Sequence, residues 1–111
     1  MDRKRLIIVV AVLAVAGCLG RASVTVRNES NVEVQDLRLE GRCFAETLGV
    51  LAPGASKSVR VKPCGESGVF TKFAVAGTRH EAPEVGYIEA GSGYSVTLVI
   101  AADLSVHASA R

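Results

Sequence analysis

The sequence predicts an all-β domain, a small antiparallel β-sandwich of about seven strands behind an N-terminal signal helix. Three observations predict it. Beyond the first eighteen residues, apolar side chains alternate with polar ones in a period of two, the mark of half-buried strands. Clusters of Gly, Pro, Asn and Ser break that alternation at short intervals, as turns between strands do. No apolar stripe of helical period runs for even about ten residues past the N-terminal segment. A small closed barrel is the alternative architecture.

The strands can be taken in order. Val24 and Val26 alternate up to the polar turn Asn28-Glu29-Ser30-Asn31. A second run extends from Val32 to Glu40, and its apolar parity changes from even (Val32, Val34) to odd (Leu37, Leu39). The inward face must therefore switch near Gln35-Asp36, which predicts a β-bulge or a strand that changes sheets. Gly41 ends this run, and a short apolar piece follows at Leu48 to Leu51. Ala52-Pro53-Gly54-Ala55 then carries the residue pair of a type II turn. Val59 and Val61 form a strand stopped by Pro63, and Gly65-Glu66-Ser67-Gly68 reads as the next turn. Val69, Thr71, Phe73 and Val75 should face inward, with Phe70, Lys72 and Ala74 outward. Gly77 to Pro83 reads as a loop. Val85 and Tyr87 lead to the Gly-rich connection Ala90-Gly91-Ser92-Gly93, and the last strong strand points Tyr94, Val96, Leu98 and Ile100 inward. Ala101-Ala102-Asp103 turns the chain toward Leu104 and Val106. Of the five aromatic residues, Phe44, Phe70, Phe73, Tyr87 and Tyr94, at least three read as core.

This succession resembles the immunoglobulin-like and transthyretin-like sandwiches, although no residue pattern is specific to either and the chain has no Trp. Such a resemblance of architecture implies no function.

Residues 1–17 have the organisation of an export signal. Arg3, Lys4 and Arg5 are followed by eleven uninterrupted apolar residues, Leu6 to Ala16, a length suited to a secretory apolar region. A transmembrane helix needs about twenty residues. The apolar stretch here reaches at most Gly20 before Arg21, which spans only about 22 Å as a helix. The segment Leu13-Ala14-Val15-Ala16-Gly17-Cys18 resembles the lipobox of bacterial lipoproteins, with Val15 at the aliphatic position and Ala16 and Gly17 as the small pair before the cysteine. The resemblance covers about a sixth of the chain. It implies that Cys18 carries a diacylglyceryl thioether, that cleavage falls between Gly17 and Cys18, and that Cys18 becomes the first mature residue. Two or three fatty chains at about 0.8 kcal/mol per buried methylene give lasting attachment. The implied partner is thus the membrane, through a lipid anchor. The residue after the cysteine, Leu19, is not the Asp that retains enteric lipoproteins at the inner membrane, so the resemblance favours the outer membrane, with the domain facing the periplasm.

The same reading divides the chain into a signal (1–17), a lipidated tether (18–22), a sandwich (23–107) and a tail (108–111). The tether spans at most about 18 Å when extended. Thirteen Lys and Arg stand against eleven Asp and Glu in the full chain; Arg3, Lys4, Arg5 and Asp2 belong to the signal, which leaves ten of each in the 94 residues that remain. A neutral mature chain gives no support to a nucleic-acid partner, which wants a basic stripe. With Cys18 acylated, Cys43 and Cys64 remain, and only one pairing exists. Two separate thiols or a metal pair are the other states open to them. Export favours the bridge, and no His lies at a ligand spacing from either cysteine.

No catalytic constellation is present. His80 lies beside Arg79 and Glu81 in the expected loop and His107 near the C-terminus, with no recognisable nucleophile motif for either. No residue set has calcium-loop or zinc-site spacing, so neither a metal site nor a cofactor is expected. Gly65-Glu66-Ser67-Gly68 and Gly91-Ser92-Gly93 join strands to strands, unlike phosphate cradles. Asn28-Glu29-Ser30 matches a glycosylation sequon in form only. Lys57, Arg60, Lys62 and Lys72 against Glu29, Glu33, Asp36 and Glu40 sketch basic and acidic regions. These features point to a non-enzymatic, lipid-anchored binding or envelope-assembly module. The alternative is a small-ligand carrier, or an enzyme, with a cleft between its sheets.

Overall fold

A computed structural model describes residues 21–90 and 93–109. The expected lipidation and cleavage residues, Val15, Ala16, Gly17 and Cys18, lie outside them. The described residues contain no helix and nine strands: β1 (Ala22–Asn28), β2 (Val34–Gly41), β3 (Phe44–Leu51), β4 (Ser56–Val61), β5 (Ser67–Val75), β6 (Thr78–Glu81), β7 (Val85–Ile88), β8 (Ser95–Ile100) and β9 (Val106–Ala108). One sheet has the order β4-β1-β8-β9 and the other β3-β2-β5-β6, with β7 also pairing to β5. Both sheets keep open edges. The molecule is the expected sandwich and not the barrel.

The alternation in β1 explains why the first strand is central. Ala22, Val24, Val26 and Asn28 are all fully buried, and a strand with such a face needs neighbours on both sides. β4 pairs with it antiparallel, Ala22 opposite Val61 and Val26 opposite Lys57. β8 lies on the other side and runs parallel, from Ser23 opposite Ser95 to Asn28 opposite Ile100. Among the described residues this is the one parallel pair, joining β1 to a strand late in the sequence. The core between the sheets takes Val34, Leu37 and Leu39 from β2, Leu51 from β3, Val69 and Phe73 from β5, Ile88 from β7 and Leu98 and Ile100 from β8.

The parity change in β2 is a bulge, as the sequence predicts. Pairing with both β3 and β5 slips between Val34 or Gln35 and Leu37 or Arg38, and Asp36 takes φ 51°. The extra residue returns Leu37 and Leu39 to the inner face that Val34 already occupies. The Pro53-Gly54 turn is of type II, with Gly54 at φ 79° and the Ala55 amide donating to Ala52 O at 3.0 Å.

Several expectations are corrected. β3 begins at Phe44, well before the apolar piece at Leu48. The segment read as a loop from Gly77 to Pro83 contains β6, which pairs with the second half of β5. Ala76 and Gly77 form its two-residue hairpin loop, with φ 48° and 83°, the type I′ geometry whose twist suits adjoining strands. Among the aromatics only Phe73 is fully buried; Phe44 and Tyr94 pack partly against the core, while Phe70 and Tyr87 are exposed.

Candidate functional site

The strand directions gather the functional candidates into three places. One pole of the sandwich, here the N-terminal pole, holds the start of β1, the ends of β2 and β4, and the starts of β3, β5 and β8. β1 begins only four residues after Cys18. Arg21, Ala22, Ser23, Arg60, Gly93, Tyr94 and Ser95 line a surface cleft of about 220 Å³ there. Arg42 in the β2–β3 loop and Lys62 after β4 are exposed at the same pole. Glu66, Glu84, whose side chain abuts Gly68 at the start of β5, and Glu89 are acids nearby. The Tyr87 hydroxyl donates to Glu89 Oε1 at 2.6 Å, and that carboxylate pushes the Tyr87 pKa well above its ordinary value. Tyr87 also meets Tyr94 edge to face, with ring centroids 5.5 Å apart.

Cys43 and Cys64 are joined at this pole in a disulfide, with Cα atoms 5.6 Å apart. The bridge ties the β2–β3 loop of one sheet to the segment that carries the chain out of the other. The Cys64 amide adds a 3.2 Å hydrogen bond to Arg42 O. Cys43 sits in the left-handed region at φ 68°, a conformation that costs an ordinary side chain about 1 kcal/mol and that the bridge helps to hold.

The opposite pole exposes Glu29, Glu33, Asp36 and Asp103 together with Lys57 and Arg79, and Arg27 pairs with Glu29 there at 2.9 Å. Its interior is organised by Asn28. The fully buried amide donates to Val32 O at 2.8 Å and to Leu51 O at 3.0 Å, and its oxygen accepts the Ser30 amide at 3.0 Å and the Ser30 hydroxyl at 2.6 Å. Both amide hydrogens are engaged, so the sequon is a structural turn with no free acceptor nitrogen for a sugar.

The third place lies on the flank, where the free edges of the sheets face each other at β6 and β9. His80, Glu81, Ala82, Pro83, Leu104, Ser105, Val106 and His107 line a cleft of about 360 Å³. It unites the two histidines, which are far apart in sequence. Ser105 Oγ donates to Asp103 Oδ1 at 2.6 Å and lies 2.8 Å from His107 Nε2. Hydrogen bonds from Ser105 hold the Asp103 carboxyl below the usual carboxylate range, so this acid is an acceptor. The Ser105 proton is then committed to Asp103, and His107 must be the donor to Ser105. That is the wrong direction for a histidine that activates a serine. His80 stacks on Phe73 with centroids 5.3 Å apart. Among the described residues, no three His, Cys, Asp or Glu side chains come together as metal ligands.

Sequence reasoning missed this flank cleft and the clustering of Arg42, Arg60 and Lys62 at one pole. Alternation tells which face a residue takes, not which strand lies beside it. The one sequence signal for the cluster is that Arg42 follows β2 directly while Arg60 and Lys62 stand at the end of β4.

No family model and no curated protein matches this chain. Among solved structures, an NMR structure of a protein from Eubacterium rectale is similar, with a TM-score of 0.57 at 11% identity, over 81% of this chain and 87% of that one. At that identity the likeness extends to the fold alone.

Proposed function

We propose that this protein is a bacterial lipoprotein, tethered through a diacylglyceryl group on Cys18, whose β-sandwich acts as a non-catalytic binding or assembly module at the periplasmic side of the cell envelope, with the outer membrane favoured. The observation that carries this reading is the lipobox-like segment Leu13 to Cys18 behind a basic start and an apolar run. The start of β1 at Ala22 supports it, since only three residues, Leu19 to Arg21, stand between the acylated cysteine and the first strand. The donation of the Ser105 hydroxyl to Asp103 favours binding over catalysis, because the proton points away from His107, the histidine beside it. A second reading, a carrier of a small ligand, draws support from the flank cleft, whose volume of about 360 Å³ falls in the range of ordinary ligand pockets.

Intact-mass and peptide spectrometry of protein isolated from its own envelope tests the anchor. The expected product begins at Cys18 and carries a lipid adduct there, and Cys18→Ala abolishes the adduct and leaves the precursor uncut. An N-terminus other than Cys18, or an unmodified thiol, overturns the reading. Crosslinking in intact cells separates the two functions: a stable envelope protein captured through the sandwich supports the binding module. A small molecule co-purifying in stoichiometric amount, lost on Leu104→Arg in the flank cleft, supports the carrier.

A further inference from the structure

We infer that the N-terminal pole is itself a membrane contact, an electrostatic and aromatic face that docks on anionic phospholipid; this rests on the proposed lipid anchor. The mature chain has no net charge, but four of its bases gather in one place. Arg21, Arg42, Arg60 and Lys62 are exposed at the pole where the tether enters, with Glu66, Glu84 and Glu89 as the acids nearby, whereas Glu29, Glu33, Asp36 and Asp103 stand at the far end together with Arg27, Lys57 and Arg79. None of Arg42, Arg60 and Lys62 takes part in an ion pair among the described residues. A cleft of about 220 Å³ there is lined by Arg60, Tyr94, Ser23 and Ser95 among others. Tyr94 and Tyr87 add aromatic rings with polar tips, the side chains that settle at the headgroup level of bilayers.

The geometry makes the contact unavoidable in range. From Cys18 to Ala22 the chain reaches at most about 14 Å, and electrostatic attraction acts over about 8 Å at physiological ionic strength. Each basic side chain near an anionic leaflet strengthens association about fivefold. The short tether brings Arg42, Arg60 and Lys62, which no ion pair engages among the described residues, against the bilayer, so the anchor supplies retention and these bases supply orientation.

Hydrogen exchange of the native protein, reconstituted into vesicles of phosphatidylcholine alone or with about a third phosphatidylglycerol, tests the contact. Slowed exchange is expected in the segments after β4 and before β8, at Lys62 to Glu66 and Gly93 to Ser95, only with phosphatidylglycerol. Raising the salt to about 1 M should reverse it. Arg60→Glu with Lys62→Glu should remove the difference while leaving exchange around Asn28 unchanged, which shows that the fold persists. Equal exchange in both vesicles, or protection at the opposite pole, overturns the docking face. Failure of the anchor looks different: without lipid on Cys18 the protein does not float with phosphatidylcholine vesicles at all. Flotation with phosphatidylglycerol vesicles alone would then still support the basic pole, and flotation with neither would overturn it.

Discussion

Asn28 and Thr71 are both polar and fully buried, and their surroundings give them opposite signs. Asn28 uses its amide to satisfy Val32 O and Leu51 O and its oxygen to hold Ser30. It therefore fastens the end of β1 to the end of β3 and shapes the turn between β1 and β2. Thr71 Oγ1, on the inner face of β5, has no hydrogen-bond partner. A buried group left unpaired costs about 1 to 3 kcal/mol. Asn28→Ala should therefore lower stability by about 2 to 3 kcal/mol, since it removes the side-chain partner of Leu51 O and of the Ser30 amide, while Val32 O keeps the Ser30 hydroxyl. Thr71→Val, which replaces the hydroxyl by a methyl of similar size, should raise it by about 1 kcal/mol. Urea unfolding of the two variants checks the pair, and a loss of stability in Thr71→Val would mean that the hydroxyl is satisfied after all. The sequence marks Asn28 as a turn residue and Thr71 as inward-facing. The partners of their polar atoms come from strands distant in sequence, so alternation cannot show them.

At the scale of strands and turns, legibility depended on whether a signal was local. The β2 bulge was readable because parity within one strand changes between Val34 and Leu37. The type II turn was readable because Pro53 and Gly54 each supply the torsion it needs. The hairpin between β5 and β6 was hidden because type I′ loops advertise themselves by Asn-Gly or Asp-Gly, and here Ala76 occupies the first position at φ 48°. The first half of β3 was hidden because Ala45, Glu46 and Thr47 carry no apolar alternation; as an edge strand it has only one neighbour within its sheet, β2. An alanine held in the left-handed region costs about 1 kcal/mol, which asparagine relieves in part. Ala76→Asn should raise the stability by about 0.5 kcal/mol and leave the β5–β6 pairing unchanged, as seen in a thermal melt beside backbone chemical shifts. A drop in stability would show that the methyl group of Ala76 makes a contact that outweighs the torsion.

On the scale of the whole molecule, the sandwich has one fastened flank and one open flank. On the open side, β6 and β9 leave the cleft lined by His80 and His107. On the other, β3 and β4 are the free edges of their sheets, and the Cys43–Cys64 bridge encloses both of them in one covalent loop of 21 residues' separation. This pairing was legible because the acylation expected of Cys18 leaves a single combination. Its position across the two sheets was not, since that depends on where β4 ends relative to the β2–β3 loop. Closing a loop of this length stabilises a domain by about 3 kcal/mol, through a lower entropy of the unfolded chain in the simplest account. A mature domain of about 90 residues has only about 5 to 10 kcal/mol in total, so the bridge is a large share. The double variant Cys43→Ser/Cys64→Ser should remain folded, because Val24, Leu39, Phe73 and Leu98 still fill the core, but should melt on the order of 15 °C lower. The lipid attachment proposed for Cys18 should be unaffected, since that residue is untouched. Reductant should lower the melting temperature of the native protein to that of the double variant and leave the variant unchanged. A native protein indifferent to reductant, with two titratable thiols when unfolded, would show that the bridge does not form in the cell.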